Sequence, residues 1–342
     1  MERRLSSYTG CLLGLAVGDG LGHGPERING FLPVSGYTQQ AAYACNGLLV
    51  GLTRGQITGA MAPPVRYVAE ALQEWARHQL WRQDPGVTCW ISRSPRLDYR
   101  RCPENGMLDI LAAGELGTME DHSSRLRGPG ALMTAPAVGL FYDPERMPRR
   151  EFRRLAAESA ALTHGDAEAF LSGAALSYIL SRILWEGEEN LAKLTHEAAG
   201  MLRTRFGGEY RQTKDLGRMF RQLRSLTRRK EWSAGEALRS IGNETAAQIL
   251  MGALYLCMAG PNDFEESLHL AAGWAPAGAA VAGAILGALG GEEVIPEHLL
   301  EELECADVLR ELAHDLFGGC PMMRGSRIFD VEWDEKYNSS DL

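Results

Sequence analysis

Residues 278–290 read GAAVAGAILGALG, an apolar run in which glycine and alanine return every three or four positions. On a helix that spacing leaves one face without bulk, so another backbone can approach closely inside a crowded core. The run is therefore expected to be a buried helix. Elsewhere apolar residues recur with the same period: residues 65–81 (VRYVAEALQEWARHQLW) put Val65, Val68, Ala69, Leu72, Trp75, Ala76 and Leu80 on one face. Further helices are expected over 151–161, over THGDAEAFLSGAALSYILSRIL from Thr163, and over 236–258 and 264–272, with a short one at 106–116. Thr163 is placed to cap its helix, and Asp166 and Glu168 fall in the first turn, where carboxylates favour the helix dipole. Gly260, Pro261 and a cap at Asn262 or Asp263 mark the turn before residue 264. Alternating strand patterns are scarce, so the chain is expected to be all-α.

Of the 342 residues, 45% are hydrophobic and 23% charged, enough to bury a large core without staples. The net charge of −9 argues against a surface built to neutralise nucleic-acid phosphates, and favours a small molecule or a protein as partner. One stretch runs against that balance. From Arg211 to Lys230 (RQTKDLGRMFRQLRSLTRRK), Lys214, Arg218, Arg221, Arg224 and Arg228 gather on one side, with Leu216, Met219, Phe220, Leu223 and Leu226 on the other. Such a stripe is either a solvated face or a contact for an acidic partner or nucleic acid.

The 7 cysteines, Cys11, Cys45, Cys89, Cys102, Cys257, Cys305 and Cys320, are odd in number and form no CxxC pair, as expected of buried thiols in a reducing cytoplasm. Arginines followed by an apolar run at the N-terminus imitate a leader, but residues 11–17 are few, glycine-interrupted and lead into GDG. No stretch is expected to reach the roughly 18 apolar residues of a membrane helix. A cytoplasmic protein without membrane contact is expected.

The sharpest local feature is GCLLGLAVGDGLGHGPE over residues 10–26, where a helix ending in glycines sets Asp19 and Glu26 near a turn. Carboxylates there can bind a hydroxyl, a cation or a developing charge, or can serve as structural caps. Together with three later segments, this one resembles the ADP-ribosylglycohydrolase family, which includes the dinitrogenase reductase-activating glycohydrolases. GPGALMTAPAVGLF (128–141) is similar to the family's GNGxxMR loop, SAALTHGDAEAFLSGAAL (159–176) to its THxxxEA helix start, and GWAPAGAAVAGAILGALGG (273–291) to its closing GDTDTxAAIAGAILGA helix. The four segments keep the family's order and span almost the whole chain. The resemblance implies one compact helical domain with a central cleft over residues 1–329, followed by an acidic, polar and frayed tail at 330–342.

In that family the reaction is hydrolysis of an ADP-ribosyl group, and two magnesium ions are held by an early TDDT and the late GDTDT. Here Thr38 survives, but Gln39, Gln40 and Ala41 stand where Asp, Asp and Thr are expected. At the late motif Gly273 is followed by Trp274, Ala275, Pro276 and Ala277, so both carboxylates and both hydroxyls are gone. Magnesium sheds water reluctantly and usually needs one or two carboxylates, so the metal pair is expected to be absent and no other cofactor is implied. Trp274 either fills volume that ions and their waters take up in the family or points into the core beside Pro276.

The resemblance sets Gly128, Gly130, Met133 and His164 against the ligand, although Pro129 and Thr134 replace the loop's Asn and Arg. His164 can equally be a buried structural residue. Glu26 matches the family glutamate near the scissile bond, and Glu26 or Asp19 would be the general base of any remaining hydrolysis. Three readings follow. The chain is a non-catalytic binder of ADP-ribose or of an ADP-ribosylated or ADP-ribosylating protein, in an immunity or regulatory role. Alternatively it is a metal-independent ADP-ribosyl hydrolase using Glu26 and Asp19, or it makes purely structural use of the fold.

Overall fold

The computed structural model describes residues 4–24, 26–81, 89–97, 100–101, 105–121, 124–325 and 329–338. Cys102, the end of the 330–342 tail and parts of the 80–127 segment lie outside the described residues. In chain order the α-helices are α1 (Leu5–His23), α2 (Gly36–Thr58), α3 (Pro64–Trp81), α4 (Asn105–Ala113), α5 (Ala135–Phe141), α6 (Arg149–Ala161), α7 (Ala167–Glu186) and α8 (Leu191–Phe206). There follow α9 (Gln212–Leu226), α10 (Ala234–Ile241), α11 (Ala246–Ala259), α12 (Phe264–Trp274), α13 (Pro276–Gly290), α14 (Glu297–Glu302), α15 (Ala306–Gly318) and α16 (Val331–Tyr337). Among the described residues the only β features are the isolated bridges Ile28–Phe31 and Leu32–Leu303. The all-α expectation holds.

The centre of the fold is the pair α1 and α13. A methyl group on Gly10, Gly14 or Gly18 of α1 would fall on a backbone carbonyl of Gly287, Gly283 or Ala279, and one on Gly283 or Gly287 would fall on Gly14 or Gly10. The two backbones therefore touch along most of their length, which no larger side chain would permit. The small-residue spacing of 278–290 finds its partner in the glycines of the opening run. Around this pair lie α11, α12 and α15, and α2 packs on α3 and α5.

Local chemistry sets the helix ends. Asn190, Ser233, Thr245, Asp263 and Asp330 each accept a first-turn backbone N–H, which satisfies donors that a helix leaves open. Four expectations need correction. The cap of α7 is Asp166, which accepts from Glu168 N at 2.9 Å, whereas Thr163 bonds to His164. The helix expected over 236–258 is two, because Gly242 turns to a φ of 81° and Thr245 starts α11 with a capping box closed by Gln248. The tail is not frayed over Val331–Tyr337, where α16 buries Trp333 and Tyr337 and ties them to Thr53 and Asp315 at 2.8 and 2.6 Å. Finally, α7 is long and apolar enough to cross a bilayer by length and composition, with a mean hydropathy of 1.2, yet 83% of that window is buried inside the fold.

Candidate functional site

The last turn of α1 is where the matched segments meet. Asp19, fully buried, accepts hydrogen bonds from Ser35 N and Oγ at 2.8 and 2.7 Å and from Thr38 N and Oγ1 at 3.1 and 2.6 Å. His23 Nδ1 lies 3.0 Å from the same carboxylate. Ser35 is the N-cap of α2, so the carboxylate satisfies the open donors of that helix and faces its positive end. Burial alone would raise the Asp19 pKa, but the hydrogen bond and charge of His23, with the donations from Ser35 and Thr38, hold it below the ordinary range. Burial would depress His23; the bond and charge of Asp19 outweigh it and raise the pKa. A carboxylate offers about four lone-pair sites, and Asp19 has none left for a water.

Thr38, Gln39 and Gln40 are each 1% exposed or less. Gln39 donates from Nε2 to Leu97 O at 3.0 Å and accepts from Trp75 Nε1 at 3.1 Å. Gln40 donates from Nε2 to Gly130 O at 3.1 Å, while its Oε1 is buried without a hydrogen-bond partner among the described residues. The early motif is thus hydrogen-bonded to α3, to the loop after it and to the 128–133 loop.

The late motif reaches the same place by its backbone. A methyl on Gly22 would meet Pro276, so the start of α13 abuts the end of α1, and α13 also touches α2. Pro276 is exposed. Trp274 is half-buried and turned elsewhere: its indole lies on Gly252 of α11 and Gly278 of α13, where no Cβ could fit, and Asn243 Nδ2 donates to its carbonyl at 2.8 Å. Trp274 thus packs, half-buried, against the core from the side of α11 and α13.

The loop assigned to the ligand is a short 3-10 turn, Pro129–Leu132. Gly130 and Met133 are buried, and Gly128 is half-buried. His164 is fully buried with Nδ1 2.8 Å from Thr163 Oγ1. Glu26 is exposed on the connection between α1 and α2. The structure therefore gathers Asp19, Thr38, Gln40, Gly130 and Pro276 around one helix end, leaves Glu26 at the surface and turns Trp274 away.

Two further acids are buried or half-buried, Glu168, expected only as a first-turn carboxylate, and Glu74, which no motif marks. Glu168 is half-buried beside Thr245, and burial with the charge of Asp166 pushes its pKa up. Glu74 is 1% exposed and accepts from Cys89 N and Ser92 Oγ. Nothing local flags Glu74, since its helix reads as an ordinary amphipathic one. Ser35 was not singled out either, although a capping residue one position before GYTQQ is a signal that marks it.

The fit to a magnesium pair can be tested on these atoms. A hard cation of that size takes six oxygens, usually with carboxylate among them. The hydroxyl of Thr38 is committed to Asp19, Gln39 Oε1 to Trp75 and the Asp19 carboxylate to α2. One neutral amide oxygen, Gln40 Oε1, remains. Among the described residues no group of three or more His, Cys, Asp or Glu is placed to hold a metal. This donor set does not fit two magnesium ions.

None of the curated proteins matches this chain. Among solved structures, one described as an ADP-ribosylglycohydrolase-related protein complex superposes with a TM-score of 0.62 at 22% identity, covering 93% of this chain and 99% of that one. That likeness speaks for the fold. A model of the ADP-ribosylglycohydrolase family matches residues 1–325, and by that match over nearly its whole length the chain belongs to the ADP-ribosylglycohydrolase family.

Proposed function

We propose that this member of the family does not hydrolyse ADP-ribosyl groups and acts by binding, with an ADP-ribosylated or ADP-ribosylating protein as its target, in an immunity or regulatory role in the cytoplasm. The observation that carries the reading is the employment of Gln39 and Gln40. Both ends of the Gln39 amide and the Nε2 of Gln40 are spent on Leu97, Trp75 and Gly130 inside the fold, and the one oxygen left, Gln40 Oε1, is neutral, where the reaction would need charged oxygens facing metal and water. Burial of Gly130, Met133 and His164 supports a protein surface, more than an enclosed nucleotide, as the means of recognition. The metal-independent alternative is weakened at Asp19, whose lone pairs are all engaged, and rests on Glu26 alone.

The test is turnover of an ADP-ribosyl-arginine conjugate by the full chain, in magnesium and in chelator. No release of ADP-ribose is expected in either. Release that needs magnesium would overturn the reading, and release that survives chelator but disappears in Glu26→Ala would establish the metal-independent alternative.

A further inference from the structure

The basic stripe of the sequence lies on one wall of a groove. A cavity of about 920 Å³ runs between α8 and α9, and Arg203, Arg211, Lys214, Arg218, Arg221 and Arg224 line it. The one carboxylate among the lining residues, Asp215, is paired with Arg218. The other five cations are exposed and have no ion-pair partner among the described residues. Elsewhere Arg27, Arg96, Arg154 and Arg310 each close on a carboxylate.

A solvated helix face does not need this arrangement. Lys214, Arg218, Arg221 and Arg224 follow one another at helical spacings of three and four, and like charges so placed destabilise a helix. The apolar side of α9, with Leu216, Phe220, Leu223 and Leu226 buried, would hold the helix in place with neutral residues opposite. The unbalanced charge therefore calls for an occupant of opposite sign.

The groove also restricts what that occupant is. Arginine predominates, and its planar fork matches carboxylate and phosphate oxygens in pairs. Phe220 in the lining is 4% exposed, and the one exposed ring there is the imidazole of His196, so the groove lacks the series of rings on which successive bases stack. The basic run from residue 214 to 224 is about 15 Å long at 1.5 Å per residue. A nucleic-acid strand would extend past it over a molecule whose net charge is −9. A short run of carboxylates meets neither objection.

We propose that the groove between α8 and α9 binds a short Asp- or Glu-rich segment of a partner protein. This deepens the binding reading and rests on it, but it concerns a surface on α8 and α9, which pack on α7 and α11. The probe is a fluorescein-labelled decaglutamate peptide, titrated with the full chain and followed by anisotropy at low and moderate salt. Lys214→Glu/Arg221→Glu is compared with Arg93→Glu/Arg150→Glu, an equal change of charge at exposed residues outside the groove. The wild type should bind, weaken with salt, lose about tenfold or more in the groove variant and change little in the other. Should the charge reversal disturb folding, Arg203→Ala/Arg224→Ala gives the same comparison. Absence of peptide binding, equal losses in both variants, or tighter binding of a decathymidylate would overturn the proposal. Such a failure leaves the turnover result untouched, and turnover would sink the binding reading whatever the peptide does.

Discussion

A buried carboxylate that accepts from Ser35, Thr38 and His23 contributes in proportion to what its loss would leave behind. Asp19→Asn keeps the size but turns an amide toward those donors, so the N-terminus of α2 loses its acceptor; a loss of about 3 kcal/mol is expected in a denaturant titration. The Asp19–His23 pair also gives stability a pH signature. The aspartate, with its pKa lowered from 3.8, contributes above that value and loses its contribution as pH falls. The histidine, with its pKa raised from 6.5, contributes below that value and loses it as pH rises through the folded-state pKa. Stability from this pair is thus fullest between 3.8 and 6.5, and His23→Ala should flatten the alkaline decline in melting temperature and, by removing the bond and charge that hold Asp19 down, also reduce the acid one, leaving there only the share that Ser35 and Thr38 supply. Gln39 and Gln40 provide the residue-scale test of the metal argument. In Gln39→Asp/Gln40→Asp the new carboxylates would face the carbonyl oxygens of Leu97 and Gly130, so a loss of roughly 3 kcal/mol or more is expected. Millimolar magnesium should not restore it in a thermal melt; full rescue would show that the fold still accepts the ion.

Among the elements, α1 and α13 make the most exacting contact. Gly14→Ala or Gly283→Ala sets a methyl on the opposing backbone, where no rotamer change can relieve it, and about 3 kcal/mol of stability should be lost. Gly200 in α8 has open space around its Cβ position, so Gly200→Ala should stabilise by up to about 1 kcal/mol. Comparing the two melts separates close packing from helix propensity. The same contrast explains how far the sequence could be read. Residues 278–290 announced a close approach by their spacing, but a single chain does not say to what, and only the structure pairs them with residues 10–18. The periodicity of α3 and the loss of carboxylates at both motifs were plain in the residues. The direction of a side chain was not: Trp274 had two placements, and its resting place between Gly252 and Gly278 depends on glycines 22 and 4 positions away. Asp19 read as a candidate base because its partners, Ser35 and Thr38, follow on the next helix. The boundary between α10 and α11 was missed because Gly242 sits in an otherwise helical pattern, and the docking of α16 because Trp333 and Tyr337 are isolated among acidic residues.

On the scale of the whole molecule, a fragment ending at residue 263 would keep α1 while lacking α12, α13 and α15, which pack against it. No cooperative thermal transition is expected from it, whereas an intact chain should melt with one; a sharp transition in the fragment would show that α1 finds adequate partners without them. The separation of the two central helices matters before any melt is run. About 270 residues lie between Gly14 and Gly283, and at a usual synthesis rate of ~5–20 residues per second that interval lasts on the order of tens of seconds. Throughout it α1 has left the ribosome with its bare glycine face and apolar flanks uncovered. Nothing made in the meantime can substitute for α13, because only a backbone stripped of side chains fits that face. A nascent chain of this protein is therefore exposed to adventitious pairing, including with the α13 of a neighbouring copy on the same message, until translation is almost complete.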